Sequence, residues 1–366
     1  MVCLDIVMKP FYTKIILILN CLLLGELKGQ SVMLDYQDHV DLAYYLTEHG
    51  QKRAVKTQTD WEIRKPQIQL GMQKVMGPFP KPDEKIPLSL EVLEEVAESS
   101  FTRRLVSYHT DSLSRRVQAY LFLPKATVKL PAVLCLHQTT AIGKKEPAGL
   151  GGNPQLHYAR HLAERGFVTL APDYPSFGDY PYQFPAEDGY ISGTMKAIYD
   201  NHRAIDLLQE LKQVDPENIG CIGHSLGGHN TIFTGVFDTR IKAMVSNCGF
   251  TRFHKYYNGN LKGWTSDRYM PLIAKHYNSN PEQVPFDFPE LIGSLAPRAF
   301  LASAPVRDGN FEVSGVKETI AEAKKVYQLY GATDNLEAIY PNAAHSFPEE
   351  ARDKAYRFLD KHLKKE

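Results

Sequence analysis

The stretch Gly220-Cys221-Ile222-Gly223-His224-Ser225-Leu226-Gly227-Gly228 limits what this chain can fold into more than any other, because it sets a serine between glycines two positions away on either side. Residues 218–222 read as a short buried strand, and residues 229–236 as a helix that begins directly after the glycines. A strand that passes into a helix through so tight a turn brings backbone against backbone at Gly223 and Gly227, where a side chain would collide. Such a turn leaves the Ser225 hydroxyl at the carboxyl end of the strand. The alternative is a glycine-rich turn whose serine only caps the helix, but capping makes no demand for glycine on both sides.

The segments around this turn alternate in type. Residues 104–109 and 117–123 predict two strands paired antiparallel. Continuous apolar runs follow at 131–136, 166–171, 241–246, 299–304 and 336–340, with helical patterns between them that include 153–165 and 192–211. This order predicts an α/β fold over residues 101–366: a doubly wound, mostly parallel sheet with helices on both faces and its reactive groups at the carboxyl ends of the strands. Residues 249–293, rich in Tyr, Phe, Pro and including Trp264, interrupt the alternation and predict a lid-like insertion. Residues 30–100 predict a helical N-terminal extension, with helices over 36–49 and 61–76 before a proline-rich break at 77–82.

A serine hydroxyl attacks an ester only with a histidine base beside it, and that base needs a carboxylate to hold its tautomer. In the chain order serine, acid, histidine, both partners belong on loops after later strands. His345 lies in the loop between the last predicted strand and a C-terminal helix starting near Glu349, whereas His362 falls on that helix and reads as solvated. Asp308 follows the run 299–305 in a Val306-Arg307-Asp308-Gly309-Asn310 turn and is the expected acid. Asp287, Asp267 and Asp334 are its rivals, the first two inside the insertion and the third in an ordinary turn. The oxyanion formed on attack needs two N–H donors. One is that of Leu226, and the other is expected from Gln138 or Thr139 after the first parallel strand, with His137 beside them read as structural.

Charge and cysteine content narrow the remaining classes. Lys plus Arg and Asp plus Glu both number 42, so no charge excess draws the chain to nucleic acid. Residues 1–29 combine Lys9 and Lys14 with an apolar run at 15–24, about half the ~20 residues that a membrane span requires. This predicts a signal peptide, with no stable membrane anchor and a periplasmic or secreted product. Cys135, Cys221 and Cys248 read as buried thiols, no spacing suggests a disulfide framework or a metal, and the glycine run at 149–152 lacks a phosphate-loop pattern, so neither metal nor cofactor is expected.

With His137-Gln138-Thr139, the glycine-flanked Ser225, Asp308 and His345 in this order, residues 101–366 resemble the α/β-hydrolase superfamily, and most closely its dienelactone-hydrolase-like and acetyl-xylan-esterase-like members. The resemblance implies the α/β-hydrolase fold and a cofactor-free serine esterase. Dienelactone hydrolases proper carry cysteine where this chain has Ser225, so their lactone substrate does not transfer. The expected function is hydrolysis of carboxylic esters, of a small molecule or a carbohydrate, through a Ser-His-Asp acyl-enzyme. Two alternatives remain: a serine peptidase of the prolyl-oligopeptidase type, which lacks its propeller here, and a catalytically silent binding protein on the same scaffold.

Overall fold

The computed structural model describes residues 33–81, 86–112 and 114–364, so the predicted signal segment at 1–29 lies outside the described residues. Asp35–Glu366 form one compact unit. Its centre is a nine-stranded sheet of β3 (Glu91–Ala97), β4 (Phe101–His109), β5 (Arg116–Pro124), β6 (Leu130–Leu136), β7 (Val168–Pro172), β8 (Val214–His224), β9 (Ile241–Asn247), β10 (Ala299–Ser303) and β11 (Leu336–Ile339). The spatial order is β11-β10-β9-β8-β6-β7-β5-β4-β3. Strands β6 to β11 run parallel, while β3, β4 and β5 pair antiparallel and β5 joins β7 antiparallel. The central parallel strands β6, β7 and β10 are apolar runs buried almost throughout because helices cover both faces.

Five helices supply that cover: α2 (Tyr158–Glu164), α3 (Gly193–Glu210), α4 (Leu226–Phe237), α6 (Val313–Leu329) and α7 (Glu349–Leu363), to which α1 (Gln58–Met76) and α5 (Phe288–Leu295) add a further layer. Their apolar stripes fall into two clusters on opposite faces of the sheet, one around Leu134, Ile198 and Phe233, the other around Val133, Leu162 and Phe358. Strand β6 has β7 on one side and β8 on the other. The chain therefore reverses its direction of travel at β6, and the crevice above such a switch point is where ligands bind in open α/β sheets. Among the described residues no helix is long and apolar enough to cross a membrane.

Three local expectations differ from the structure. Residues 36–49 are not helical; they hold a short strand, β1 (Tyr44–Leu46), paired with β2 (Lys52–Ala54). Their tyrosines surround the guanidinium of Arg64, which is fully buried on α1, 4.8 Å from the rings of Tyr36 and Tyr44 and 2.8 Å from Glu290 on α5. That buried ion pair binds the extension to the core of the sheet domain, as does Trp61, completely covered and packed on Gly293. The extension also contributes β3 as the sheet's edge, exposed along nearly all its length, with Glu94 and Glu95 paired to Arg103 and Arg104 of β4. The insertion ends earlier than residue 293, because α5 starts at Phe288 under a capping box made by Asp287 and Glu290 and buries all eight residues in the core. His362 is half-buried rather than solvated, its ring 4.6 Å from that of Phe358.

Candidate active site

Strand β8 ends at His224 and α4 begins at Leu226, so Ser225 makes the turn alone, with φ 54° and ψ −116°. A non-glycine residue held there stores strain of about 1–3 kcal/mol, tolerated where the surroundings dictate it. The glycines show how little room remains. A Cβ on Gly223 would lie 2.2 Å from the Gly227 carbonyl carbon, and one on Gly227 would lie 1.9 Å from the Leu136 oxygen. The Ser225 N–H donates to the Asn247 carbonyl at 3.0 Å, which fastens the turn to the end of β9.

Asp308 follows β10 and His345 follows β11, on neighbouring parallel strands, which is why two loops 37 positions apart meet. His345 Nδ1 stands 3.0 and 2.9 Å from the two Asp308 carboxylate oxygens. The Asp308 side chain is 1% exposed and that of His345 23%. Burial by itself would raise the Asp308 carboxyl. The hydrogen bond and charge of His345, with the N–H groups of Asn310 and Phe311 at 2.8 and 3.2 Å, outweigh it and hold the carboxyl below its usual range. An ionised carboxylate on Nδ1 leaves Nε2 as the nitrogen able to accept a proton. Behind the pair, Asn247 Nδ2 donates to His224 Nδ1 at 2.6 Å and to the Ser346 carbonyl at 3.2 Å, linking the serine turn to the histidine loop.

The rival carboxylates do other work. Asp287 caps α5, accepting from Phe288 N–H at 2.7 Å, and Asp334 lies in a 3-10 turn. Asp267 uses its backbone carbonyl to accept from Gly193 N–H at 2.7 Å, joining the insertion to the start of α3. Burial pushes the Asp287 carboxyl up to about 7, against the opposing pull of the Phe288 and Phe253 N–H groups. The folded state thus keeps the proton up to about pH 7, whereas the unfolded chain releases it near pH 4. Stability therefore falls as pH rises across that window. Asp287→Asn keeps the capping acceptor and removes the titration, so urea unfolding should show a smaller loss between about pH 4 and pH 7 than in the parent, by on the order of a few kcal/mol. Equal losses in the two proteins would contradict this.

The loop after β6 is held from several sides. His137 Nε2 accepts from Tyr174 N–H at 2.9 Å, so its Nδ1 carries the proton and donates to the Gln138 carbonyl at 2.6 Å. Burial lowers the His137 pKa, in keeping with this neutral tautomer. Because the peptide is planar, fixing the Gln138 carbonyl also fixes the Thr139 N–H, which points the opposite way. Further along, Lys144 is completely buried and its ammonium contacts Asp173 at 2.7 Å and Asp179 at 2.6 Å. Gln138 Nε2 donates to Glu146 at 2.9 Å, and Thr139 Oγ1 meets the Tyr269 hydroxyl at 2.9 Å.

Ser225, Leu226, Gln138, Thr139 and His345 line one cavity of about 300 Å³, with Asp308 behind His345. Ser225 Oγ has no hydrogen-bond partner among the described residues, and such contacts often tighten only around substrate. The outer wall comes from the insertion, as Tyr256, Trp264 and Tyr269, and from Phe311. His229, one turn into α4, completes it. Nothing in the spacing singled out His229 or Phe311. For Tyr256, Trp264 and Tyr269 the signal was the aromatic content of the insertion.

Cys248 was also overlooked as a neighbour of the site. Its thiol lies with Asp308 and His345 in a group whose ligand atoms are all within 4.8 Å, and burial followed by the Asp308 charge pushes its pKa well up, so it stays protonated. Cys135, Cys221 and Cys248 are all free and buried.

A family model described as fungal glucuronyl esterase matches residues 186–331. "Putative hydrolase YtaP" of Bacillus subtilis (strain 168) is 29% identical over 308 residues, covering 79% of this chain and 97% of that protein. The solved structure of a glucuronoyl esterase from Solibacter usitatus is similar with a TM-score of 0.69 at 18% identity, over 92% of this chain and 99% of that one. A promiscuous CE15 esterase from the marine bacterial metagenome matches with a TM-score of 0.69 at 16% identity, over 92% and 98%. Sheet order, serine turn and these similarities agree on the α/β-hydrolase fold, and in sequence and structure the chain is similar to carboxylic-ester hydrolases of that fold.

Proposed function

We propose that the chain is an exported serine hydrolase that removes acyl or alkyl groups from carbohydrate esters through an acyl-enzyme, with Ser225 as nucleophile, His345 as base and Asp308 as the orienting acid. His345 Nε2 takes the hydroxyl proton as Ser225 Oγ attacks the ester carbonyl. The carbonyl oxygen becomes an oxyanion, received by the N–H of Leu226 at the start of α4 and by that of Gln138 or Thr139. Collapse expels the alcohol, which takes the proton from His345, and water then repeats the sequence on the acyl-enzyme.

The observation that carries this reading is the His345–Asp308 pair, at 2.9 and 3.0 Å, beside the strained Ser225 in one cavity. A carbohydrate ester is supported by the aromatic wall of that cavity, which offers flat faces to a sugar ring, and by the glucuronyl-esterase match over residues 186–331. The test is turnover of a panel of p-nitrophenyl esters, acetylated sugars, methyl uronates and peptide amides. Esters should be cleaved and amides spared; cleavage of amides alone would overturn the reading. Export rests on the lysine-flanked apolar run at residues 15–24. Mass spectrometry of the exported protein should find an N-terminus near Gly29 or Gln30, and an intact Met1 or Met8 start would contradict it.

A further inference from the structure

The loop that carries the second oxyanion donor has little regular structure, yet it is built around buried charge. Between β6 and residue 153 it holds only the 3-10 turn Gly143–Lys145. Within it Lys144 and Glu146 are 0% and 3% exposed. Burying a charge is costly unless it is paired and hydrogen-bonded, and here both charges are. The Asp173 carboxylate, on the loop after β7, receives the Lys144 ammonium at 2.7 Å and the backbone N–H groups of Lys144 and Asp179 at 2.8 and 2.9 Å. Two glycines make room for it: a Cβ on Gly143, at φ 50°, or on Gly178, at φ 56°, would lie 2.1 Å from the same Asp173 oxygen. Glu146 accepts from the Gln138 side chain at 2.9 Å and from the Asn153 N–H at 3.1 Å, joining the two ends of the loop.

These contacts reach the donor by a short route. The residue after Asp173 is Tyr174, whose N–H sets the His137 tautomer, and His137 in turn fixes the Gln138 carbonyl. Holding Asp173 in place therefore holds the peptide plane that carries the Thr139 N–H. Among the described residues that line the cavity, none is Lys144, Asp173 or Glu146, so these groups act through others rather than on the substrate. Net stability is a weak reason for such a pair, because apolar side chains of similar volume in its place are often neutral or stabilising. Apolar side chains cannot, however, draw N–H groups from two loops onto one point in fixed directions. Oxyanion stabilisation depends on that, since a donor must be aimed before the charge develops.

We propose that the buried Lys144–Asp173 pair positions the second oxyanion donor, locking the loop after β6 to the loop after β7 so that the N–H of Gln138 or Thr139 is aimed before substrate arrives. This rests on the ester-hydrolase reading and adds Lys144 and Asp173 as positioning residues for its acyl transfer. Proton transfer through His345 is unaffected.

The test uses the full chain as Lys144→Met and as Lys144→Met/Asp173→Asn; the second leaves no unpaired charge buried at this point and keeps the measurement possible where the first fails to fold. Each is assayed with p-nitrophenyl acetate and with its thiono analogue, in which sulfur, a larger and weaker hydrogen-bond acceptor, replaces the carbonyl oxygen. The parent should prefer the oxygen ester. In the variants kcat for that ester should fall about a hundredfold with KM within about threefold, and the preference should fall about tenfold or more, because a misaimed donor no longer distinguishes oxygen from sulfur. A merely structural role would lower both rates alike and leave the preference within about twofold, which would overturn the proposal.

Hydrogen exchange supplies an arm that needs no turnover. In the double variant the amides of residues 137–153 should exchange at least about tenfold faster, while those of residues 218–236, around the serine turn, keep the parent's rates. A parent that cleaves no ester would contradict the esterase reading and leave exchange to decide the pair: selective loss of protection at 137–153 would uphold it, and unchanged protection would overturn it. A parent that cleaves esters, with variants that keep both the preference and the protection, would retain the esterase reading and overturn the proposal.

Discussion

Ser225→Ala should abolish ester hydrolysis, lowering kcat by at least about 10⁴-fold, while the protein remains folded. The size of the loss follows from how a triad operates: base and acid have nothing to activate once the hydroxyl is gone, so removing the serine costs nearly as much as removing all three members. The fold survives because the hydroxyl has no hydrogen-bond partner among the described residues, and alanine keeps the Cβ that the φ 54° turn already accommodates. The turn itself is secured by backbone, through Ser225 N–H on Asn247 and through Gly223 against Gly227. The measurement is steady-state hydrolysis of a p-nitrophenyl ester by purified variant and parent, with circular dichroism as the check on folding. Turnover within tenfold of the parent would remove Ser225 from the mechanism.

Asp308→Asn should cost up to about 10⁴-fold in kcat, the loss known for the equivalent change in the serine-protease triad that serves as the general template. The amide has the carboxylate's shape but can present its NH₂ to His345, which turns the imidazole to the wrong tautomer and removes the charge that stabilises the imidazolium. The effect should fall on kcat rather than on KM, since Asp308 lies behind His345 and does not line the cavity. Asp287→Asn and Asp334→Asn, made in parallel, should stay within about tenfold of the parent. Asp287 faces the backbone of Phe288 and Phe253, and Asp334 sits in its own turn. Near-normal turnover for Asp308→Asn with collapse for either rival would reverse the assignment. The fold of Asp308→Asn should hold, because Asn310 and Phe311 N–H can still bond to the amide oxygen.

What the sequence discloses depends on whether local pattern or distant packing decides a residue's place. The parallel strands were legible because burial on both faces demands unbroken apolar runs, as at Leu130–Leu136 and Ala299–Ser303. The serine turn was legible for a harder reason: only glycine fits where an added Cβ would meet backbone at 1.9 or 2.2 Å. Asp308 and His345 were legible as residues following strands, but their meeting depends on β10 and β11 being neighbours.

Residues 36–49 misled because their apolar spacing serves a tertiary purpose, wrapping Tyr36 and Tyr44 around Arg64, rather than forming the stripe of a helix. Strand β3 was missed because an exposed edge needs no apolar alternation, and its glutamates answer to the arginines of β4 instead. His229 read as one more helical residue after the glycines. Its tilted ring contact with Trp264, brought from the insertion, is one that no spacing within α4 contains.

Covalent labelling tests the central claim most directly. A fluorophosphonate reacts with a serine that an adjacent base has activated, and trypsin releases Ser225 in a single peptide of residues 213–240, which holds no other serine. Mass spectrometry should find the phosphonyl adduct on that peptide, at one site per chain, with labelling lost in Ser225→Ala and slowed at least about a hundredfold in His345→Ala. An adduct on any other peptide, or unlabelled protein that still hydrolyses esters, would contradict the account.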